Sequence, residues 1–307
     1  MADRPRIVVL DSFAADQGDE TLWNDLAALG ELVVFPRTDE DAVVERSRGA
    51  LAALTNKVPL RAPDLAALPE LRYVGVMATG TNMIDLDGAR AAGIAVTNVP
   101  GYATEPVAQL VFALLLQLWN DVAGHAAAVK AGRWATSPDF CFFLQPLTEL
   151  AGKTLATVGA GAIGGAVARI AEAFGMRVIR AAVPGSPPRQ GSPRTPLTEA
   201  LPLADVVSLH CPLTESTRGM VDAAFLGAMK PGAILINTAR GPLVDEAALL
   251  AALASGRLGG AGLDVLGEEP PPADHPLCDA RAPWAGRVVV TPHIAWGAIE
   301  SRRRMVQ

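Results

Sequence analysis

The sequence has few of the residues that build cross-linked, metal-rich or membrane-spanning proteins. Its 307 residues include only three cysteines, Cys141, Cys211 and Cys278, which lie far apart and show no metal-ligand spacing. An odd and sparse set of cysteines is typical of reduced thiols, so we expect a cytoplasmic protein without a disulfide framework or a metal site. The most apolar run, PVAQLVFALLLQLW, is too short to span a bilayer and indicates a buried helix instead.

Long basic runs are also missing. The chain has 26 Lys and Arg residues against 32 Asp and Glu residues, a net charge of −6, and its largest basic block is only Arg302-Arg303-Arg304. This balance argues against a nucleic-acid partner. Half of the residues are apolar and 19% are charged, which indicates a globular protein long enough for two domains.

Short apolar runs alternate with Ala- and Leu-rich helical patterns, which predicts an α/β fold of two doubly wound parallel-sheet domains. DETLWNDLAALG predicts a helix that ends at Gly30, and a long apolar helix is predicted from about Glu105 to Asn120. Strands are predicted at RIVVLDSF, ELVVFP, GALAALT, LRYVGVMA and IAVTNV, and then at TLATVG, MRVIRAAV, DVVSLHC, GAILINTA, GGAGLDV and RVVVTPH.

The second α/β run begins with a G-x-G-x-x-G motif at residues 159–164. In a chain with 29 glycines such a motif can be a simple turn, but here it follows a predicted strand and opens a predicted helix. Gly159 would permit the turn, Gly161 would let the backbone approach a phosphate, and Gly164 would let the helix pack close to the strand. The N–H groups of Ala162 and Ile163 would then point at the pyrophosphate of a dinucleotide.

Several long motifs, in the right order, resemble the D-2-hydroxyacid dehydrogenase family. They are MATGTNMIDLDGARAAGIAVTNVPGYATEPVAQL, TLATVGAGAIGGAVARIAEAFGMRVI, DVVSLHCPLTESTRGMVD, MKPGAILINTARGPLVDEAALLAAL and TPHIAWG, and SPDFCFFLQPLTELAGKTL is most similar to its glycerate dehydrogenase or hydroxypyruvate reductase branch. The resemblance implies an NAD(P)-binding Rossmann domain over residues 99–293, inserted in a flavodoxin-like substrate domain of residues 1–98 and 294–307. It also implies a cleft between the domains for nicotinamide and substrate, and a homodimer paired largely through the cofactor domains and residues 103–145.

The family's chemistry implies the catalytic residues. Reduction of a 2-keto acid needs a hydride donor, a cation that holds the carboxylate, and an acid that protonates the alkoxide. The resemblance assigns Arg240 as the cation, His293 as the acid and Glu269 as the carboxylate that orients the imidazole. A histidine can change protonation near neutral pH, and the planar fork of an arginine is not reproduced by a lysine. The backbone N–H groups of Thr79 and Gly80 would bind the substrate carboxylate together with Arg240 and His293.

The resemblance implies further contacts with an NAD or NADP cofactor. Asp264 would bind the nicotinamide carboxamide. The other expected cofactor contacts, besides the glycine motif, are Thr104, Ala182, Cys211, Pro212, Thr217, Thr238 and Ala239. Three residues keep two interpretations: His210 either lies near the adenosine or is structural, Trp296 either lines the substrate pocket or packs in the core, and Cys141 is either a packing residue or a redox residue.

The residue after the second strand of this domain bears on the choice of cofactor. In NAD-selective sites an acidic residue at this place binds the ribose 2′-OH and repels a 2′-phosphate, but this chain has Ala182. Arg189 and Arg194 lie in the following Pro-, Gly- and Ser-rich loop, where they are either solvated charges or partners of a phosphate. The missing carboxylate predicts that NADPH is tolerated or preferred.

The sequence therefore predicts an NAD(P)H-dependent reductase that converts hydroxypyruvate or glyoxylate into D-glycerate or glycolate. Two relatives fit less well, since phosphoglycerate dehydrogenases often carry a C-terminal regulatory domain and formate dehydrogenases carry glutamine at the position of Glu269. The alternative of another class is a dinucleotide-sensing binding protein similar to the corepressors that share the fold. The sequence does not rank hydroxypyruvate against glyoxylate.

Overall fold

The computed structural model describes residues 4–186 and 194–307. The chain folds into two compact units, one that extends to Ala103 and includes Trp296–Gln307, and one formed by Thr104–Ala295. The boundaries expected from the sequence, at residues 98 and 293, lie five and two residues before those of the structure.

The first unit contains a five-stranded parallel sheet. Its strands are β1 Arg6–Val9, β2 Glu31–Val34, β3 Ala52–Thr55, β4 Tyr73–Val76 and β5 Ala95–Asn98, and its first five helices are α1 Phe13–Asp16, α2 Asn24–Leu29, α3 Val43–Ser47, α4 Ala62–Ala66 and α5 Leu86–Ala91. The strand order β2-β1-β3-β4-β5 is that of flavodoxin-like folds, as expected. All five predicted strands of this unit are confirmed.

The end of α2 shows why Gly30 terminates this helix. The backbone of Gly30 is extended, with φ −168°, so the glycine is not needed for a left-handed turn. A Cβ atom at this position would lie 2.1 Å from the carbonyl oxygen of Pro5. Gly30 is therefore required by the close approach of β1 to the start of β2, a contact between segments that are distant in sequence.

The second unit contains a six-stranded parallel sheet. Its strands are β6 Thr154–Val158, β7 Arg177–Ala181, β8 Val206–Leu209, β9 Ile234–Asn237, β10 Gly260–Leu263 and β11 Val288–Val290, and its helices are α6 Thr104–Asn120, α7 Val122–Lys130, α8 Ala162–Ala173, α9 Leu197–Ala200, α10 Ala223–Ala228 and α11 Glu246–Ala254. The order is β7-β6-β8-β9-β10-β11, and a parallel bridge between Ala181 and Thr195 extends the sheet beyond β7. When that bridge is counted as a very short additional strand at the edge of the sheet, the strand order matches that of Rossmann folds.

The remaining elements are short, apart from the last helix. Helix α12, Ile299–Val306, belongs to the first unit. Short 3₁₀ helices span Glu20–Trp23, Glu40–Ala42, Leu201–Leu203, Gly241–Leu243, Pro276–Cys278 and Ala285–Arg287.

The long helix α6 packs against the second sheet through its apolar face. Val111, Leu114 and Leu115 are buried, and a Cβ atom at Gly262 of β10 would lie 2.9 Å from the Cβ of Leu114. The glycine therefore lets helix and strand approach closely. None of the described helices is by itself long and apolar enough to cross a membrane; α6 and α7 meet that criterion only together, as a pair bent by 56°.

Candidate active site

The three predicted catalytic residues follow three neighbouring strands of the second sheet. Arg240 lies three residues after β9, Glu269 six residues after β10 and His293 three residues after β11, and these strands are adjacent. The carboxyl ends of parallel strands share one edge, which is where ligands bind in open α/β sheets. The sheet topology thus brings the three residues to one edge of one unit.

His293 and Glu269 form a direct pair. The Nδ1 atom of His293 lies 2.6 Å from Oε2 of Glu269, and the two side chains are 28% and 36% exposed. A carboxylate at Nδ1 fixes the orientation of the ring. His293 also has a left-handed backbone, with φ 54°, which is uncommon for a residue other than glycine and occurs often at functional sites.

Asp264 holds the segment that carries His293. Its buried carboxylate accepts hydrogen bonds from Oγ1 of Thr291 at 2.5 Å and from the N–H groups of Ile294 and Ala295 at 2.9 and 2.8 Å. The N–H of His293 donates to the backbone oxygen of Asp264 at 2.8 Å. Burial raises the pKa of the Asp264 carboxyl, against the opposing effect of these hydrogen bonds. Contact with the nicotinamide stays a prediction for Asp264, and Thr291 is a supporting residue that the sequence did not reveal.

Arg240 lies on a loop that a buried asparagine shapes. The side chain of Asn237, only 1% exposed, donates from Nδ2 to the backbone oxygen of Arg240 at 2.9 Å and accepts from the N–H of Ala239 at 3.0 Å. Arg240 itself is exposed, and its Nη1 donates to the oxygen of Ala239 at 2.6 Å. Asn237 was not predicted, although a polar residue at the end of the apolar strand ILIN is a signal that could have drawn attention to it.

The three glycines of the G-x-G-x-x-G motif have the geometry expected of a dinucleotide loop. Gly159 has φ +111°, and a Cβ atom there would lie 2.6 Å from the carbonyl carbon of His210. A Cβ atom at Gly164 would lie 2.0 Å from the oxygen of Gly159, so the helix packs tightly on the turn. By contrast, none of the described atoms outside its own neighbours comes within 4 Å of a Cβ position on Gly161.

Gly161 is also the N-cap of α8, and no side chain caps this helix. The N–H groups of its first turn, which include those of Ala162 and Ile163, are therefore the donors that a helix N-terminus offers to an anion. The open position at Gly161 and the uncapped helix both fit the pyrophosphate of NAD or NADP.

Other predicted cofactor residues follow β8 and β9. Cys211 is buried, and burial raises the pKa of its thiol to about 11. Thr217 is internal to its turn, since its Oγ1 donates to the oxygen of Pro212 at 2.7 Å and accepts from the N–H of Thr214 at 2.8 Å. The Oγ1 of Thr238 is buried and has no hydrogen-bond partner among the described residues, which suits a hydroxyl that binds a ligand.

His210 lies against the glycine loop and bonds to its own strand. Its Nε2 is 2.9 Å from Oγ of Ser208, and burial lowers the pKa of His210 to about 4. The ring is therefore neutral near physiological pH. Thr104, a further predicted cofactor residue, is the first residue of α6.

A bridge at the end of β7 brings Arg194 close to Ala182, the residue that follows this strand. The N–H of Ala182 donates to the oxygen of Thr195 at 2.8 Å, and the N–H of Thr195 donates to the oxygen of Arg180 at 2.9 Å. Arg194, which precedes this bridge, has a buried Nε with no hydrogen-bond partner within the described part of the chain. Arg189 lies outside the described residues.

Thr79 and Gly80 belong to the first unit and follow β4. The Oγ1 of Thr79 donates to the oxygen of Val99 at 3.2 Å, and Nδ2 of Asn98 donates to the oxygen of Thr79 at 2.7 Å. These bonds fix the loop, and the role of the two N–H groups at the substrate carboxylate stays a prediction. Trp296, in the same unit, packs edge-on against Tyr102 with ring centroids 6.5 Å apart.

Metal ligands do not cluster in the ranges 4–186 and 194–307. No group of three or more His, Cys, Asp or Glu residues there could hold a metal ion.

Known proteins are similar to the chain in sequence and in fold. The family model for the NAD binding domain of D-isomer specific 2-hydroxyacid dehydrogenases matches residues 112–295. A hydroxypyruvate reductase from Blautia hydrogenotrophica is 40% identical over 306 residues, which are 98% of this chain and 93% of the relative. A glycerate dehydrogenase from Methylorubrum extorquens is 45% identical over 261 residues, 85% of this chain and 81% of the relative.

A solved structure agrees with these relatives. The NADPH-dependent glyoxylate/hydroxypyruvate reductase of Sinorhizobium meliloti, in complex with NADP and malonate, superposes with a TM-score of 0.81 at 33% identity and covers 99% of this chain and 91% of that one. Together with the site geometry, the family match and the relatives show that the chain belongs to the D-isomer specific 2-hydroxyacid dehydrogenase family.

Proposed function

We propose that the protein reduces a small 2-keto acid, hydroxypyruvate or glyoxylate, to D-glycerate or glycolate with NAD(P)H. The observation that carries this proposal is the His293–Glu269 pair at 2.6 Å, on the same sheet edge as Arg240 and the glycine loop. The names of the relatives, hydroxypyruvate reductase and glycerate dehydrogenase, support the substrate class. They do not favour the alternative of a non-catalytic, dinucleotide-sensing protein.

The residues of this chain would divide the work as follows. A bound NAD(P)H supplies the hydride that reaches the carbonyl carbon. The guanidinium of Arg240 binds the substrate carboxylate and polarises the ketone, because its forked donors match two oxygens. His293 gives a proton to the carbonyl oxygen as this becomes an alkoxide, and takes one back from solvent. Glu269 keeps the imidazole charged and oriented through Nδ1.

A turnover assay tests this proposal. Purified protein with NADPH or NADH should lose the absorbance of the reduced cofactor when hydroxypyruvate or glyoxylate is added. His293→Asn should abolish most turnover while it leaves cofactor binding intact. Cofactor binding without turnover over a panel of small 2-keto acids would favour the dinucleotide-sensing alternative.

NADPH is the cofactor that we propose as preferred. Ala182 carries no charge that would repel a 2′-phosphate, and the bridge at Thr195 holds Arg194 beside the same strand end. A solved relative is described as NADPH-dependent. Ala182→Asp should shift selectivity toward NADH by about 1–3 kcal/mol, or roughly 5- to 150-fold, through loss of a charge-assisted phosphate contact.

The test of cofactor preference compares kcat/KM for each cofactor in wild type, Ala182→Asp and Arg194→Ala. Arg177→Ala removes the same charge at the opposite end of β7 and is the matched control. Arg194→Ala should lower kcat/KM with NADPH and leave that with NADH unchanged. A wild-type preference for NADH that neither Ala182→Asp nor Arg194→Ala alters would refute the cofactor proposal.

We further propose a homodimer and a cytoplasmic location. Residues 133–147, here called the aromatic arm, expose Phe140 by 89%, Phe143 by 61% and Leu147 by 50%. The arm is nevertheless tied to its own unit, since Nε2 of His125 accepts from the N–H of Leu144 at 3.2 Å. Such an ordered and exposed apolar surface is typical of an interface. All three cysteines are free thiols, which supports the proposed cytoplasmic location.

Light scattering during size-exclusion chromatography tests the dimer. Wild type should have twice the mass of one chain, and Phe140→Ser combined with Phe143→Ser should shift it to the monomer. Leu29→Ser removes an equally exposed apolar side chain in the first unit and should leave the mass unchanged. A monomeric wild type would refute the interface.

A further inference from the structure

A second carboxylate–histidine pair, Glu246 and His275, joins the helix α11 to the loop that carries Glu269. Glu246, the first residue of α11, accepts a hydrogen bond at Oε1 from the N–H of Gly267 at 2.7 Å. Its Oε2 lies 3.1 Å from Nε2 of His275, and the two side chains are only 9% (His275) and 27% (Glu246) exposed. One carboxylate therefore binds the loop at two points, one on each side of Glu269.

The hydrogen bonds of His275 define its tautomer. Its Nδ1 accepts from the N–H of Leu277 at 3.3 Å, so this nitrogen carries no proton. The proton of the neutral ring is then on Nε2 and is donated to Glu246. Both ring nitrogens are thus engaged, Nδ1 by the loop and Nε2 by Glu246 of α11, so neither is available to a substrate.

The 266–267 peptide that Glu246 holds, and the N–H of Leu266 just before it, contact the other elements of the proposed site. The N–H of Leu266 donates to Oε1 of Glu269 at 3.0 Å. On the opposite side, a Cβ atom at Gly241 would lie 1.7 Å from the oxygen of Leu266, so the turn that follows Arg240 presses against the same peptide. A shift of residues 266–267 would therefore move the acceptor geometry of Glu269 directly.

We propose that Glu246 and His275 form a positioning pair that sets the carboxylate of Glu269, and through it the imidazole of His293. Neither residue of the pair touches the reacting groups. The inference rests on the proposed function, because it takes Glu269 and His293 as the catalytic pair. It goes beyond that proposal by assigning the rigidity of the carboxylate of Glu269 to a separate pair, a buried histidine and a partly buried glutamate.

Glu246→Gln is the informative substitution because an amide cannot satisfy both donors. Its oxygen can accept from Gly267, but its N–H₂ group then faces the Nε2–H of His275. We expect kcat to fall about tenfold, since small displacements of catalytic groups are costly, while the affinity for the cofactor changes less than about twofold. The alkaline limb of the pH profile should also move to lower pH, as it does for a weakened Glu269.

A double-mutant cycle with Glu269→Gln provides the decisive measurement. If Glu246 acts through Glu269, Glu246→Gln should cost about tenfold in wild type and less than about twofold in the Glu269→Gln background. His275→Gln, which keeps a donor to Glu246 and loses the bond from Leu277, should show a smaller effect in the same direction. It preserves the test if Glu246→Gln does not fold.

Asp245→Ala is the matched control. The Oδ1 of Asp245 caps the same helix by accepting from the N–H groups of Ala247 and Ala248 at 3.0 and 3.2 Å. Its loss should lower Tm and leave the pH profile in place. Equal costs of Glu246→Gln in both backgrounds, or an unmoved alkaline limb, would overturn the inference alone. A Glu269→Gln enzyme that behaves like wild type would overturn the proposed function together with it.

Discussion

Replacement of Glu269 by glutamine isolates the charge of the proposed catalytic carboxylate. Oε2 of Glu269 lies 2.6 Å from Nδ1 of His293, and Oε1 accepts from the N–H of Leu266 at 3.0 Å. When His293 is protonated, both neighbours are donors. Glutamine has one acceptor and one donor end, so either orientation of its amide places N–H against N–H. The substitution keeps the shape and removes the support for the imidazolium.

The magnitude follows from the exposure of the pair. A hydrogen bond to a charged group contributes about 1.5–3 kcal/mol when it is well shielded. The side chains of His293 and Glu269 are 28% and 36% exposed, which favours the lower end of that range because solvent screens the charges. About 1.5 kcal/mol corresponds to a factor of roughly ten in rate.

The assay is kcat/KM for hydroxypyruvate reduction across pH. Activity needs the protonated acid, so it falls as the pH rises, and the activity of Glu269→Gln should fall at a lower pH than that of wild type. The ratio of wild-type to variant activity should therefore grow about tenfold from the acid plateau to the alkaline limb. Glu268→Gln removes the same charge one residue away and should leave the limb in place. Coincident limbs for wild type and Glu269→Gln would refute the catalytic pairing.

Three other predictions address single side chains. Arg240→Lys should lower kcat/KM at least about tenfold despite its retained charge, because the forked donors are lost, and near-wild-type kinetics would remove Arg240 from the site. Cys211, whose pKa burial raises to about 11, should be alkylated by iodoacetamide far more slowly than the exposed Cys278, and peptide mass spectrometry showing equal rates would contradict this. Burial lowers the pKa of His210 from 6.5 to about 4, so the unfolded chain takes up the proton first and the free energy of unfolding should decrease as pH falls between these values. In urea titrations His210→Gln should flatten that decrease, and an identical slope would count against it.

Much of the fold could be predicted because the strands are buried on both faces. Every residue of β6, β8, β9 and β10 is buried, so each strand reads as a short apolar run without alternation. The glycine motif was equally legible, since the positive φ of Gly159 and the contact of Gly164 with the oxygen of Gly159 arise from a local turn and the helix that follows it. The family resemblance supplied the catalytic trio, which spacing alone would not have distinguished from a loop arginine, a surface glutamate and a structural histidine.

The supporting contacts were not predictable because they join segments that are distant in sequence. Glu246 is 29 residues from His275, and neither local sequence indicates that the carboxylate of Glu246 binds the imidazole of His275. Gly30 shows the same limit. The sequence marks it as the end of a helix, but a glycine is required there because the oxygen of Pro5 lies close to it. Only the parallel pairing of β1 and β2 brings that oxygen near. The bridge that holds Arg194 near Ala182 likewise depends on the end of β7.

The supporting residues share one physical role at the sheet edge. Loops that leave parallel strands have backbone groups that no ladder pairs, and a buried side chain that binds them converts a flexible loop into a fixed one. Asn237 does this for the loop after β9, Asp264 for the loop after β11, and Glu246 for the loop that holds Glu269. Because each proposed catalytic side chain stands on such a loop, its geometry is determined by a neighbour to which no chemical step is assigned. The left-handed backbone of His293 is the clearest case, since a strained conformation persists only where surrounding hydrogen bonds enforce it.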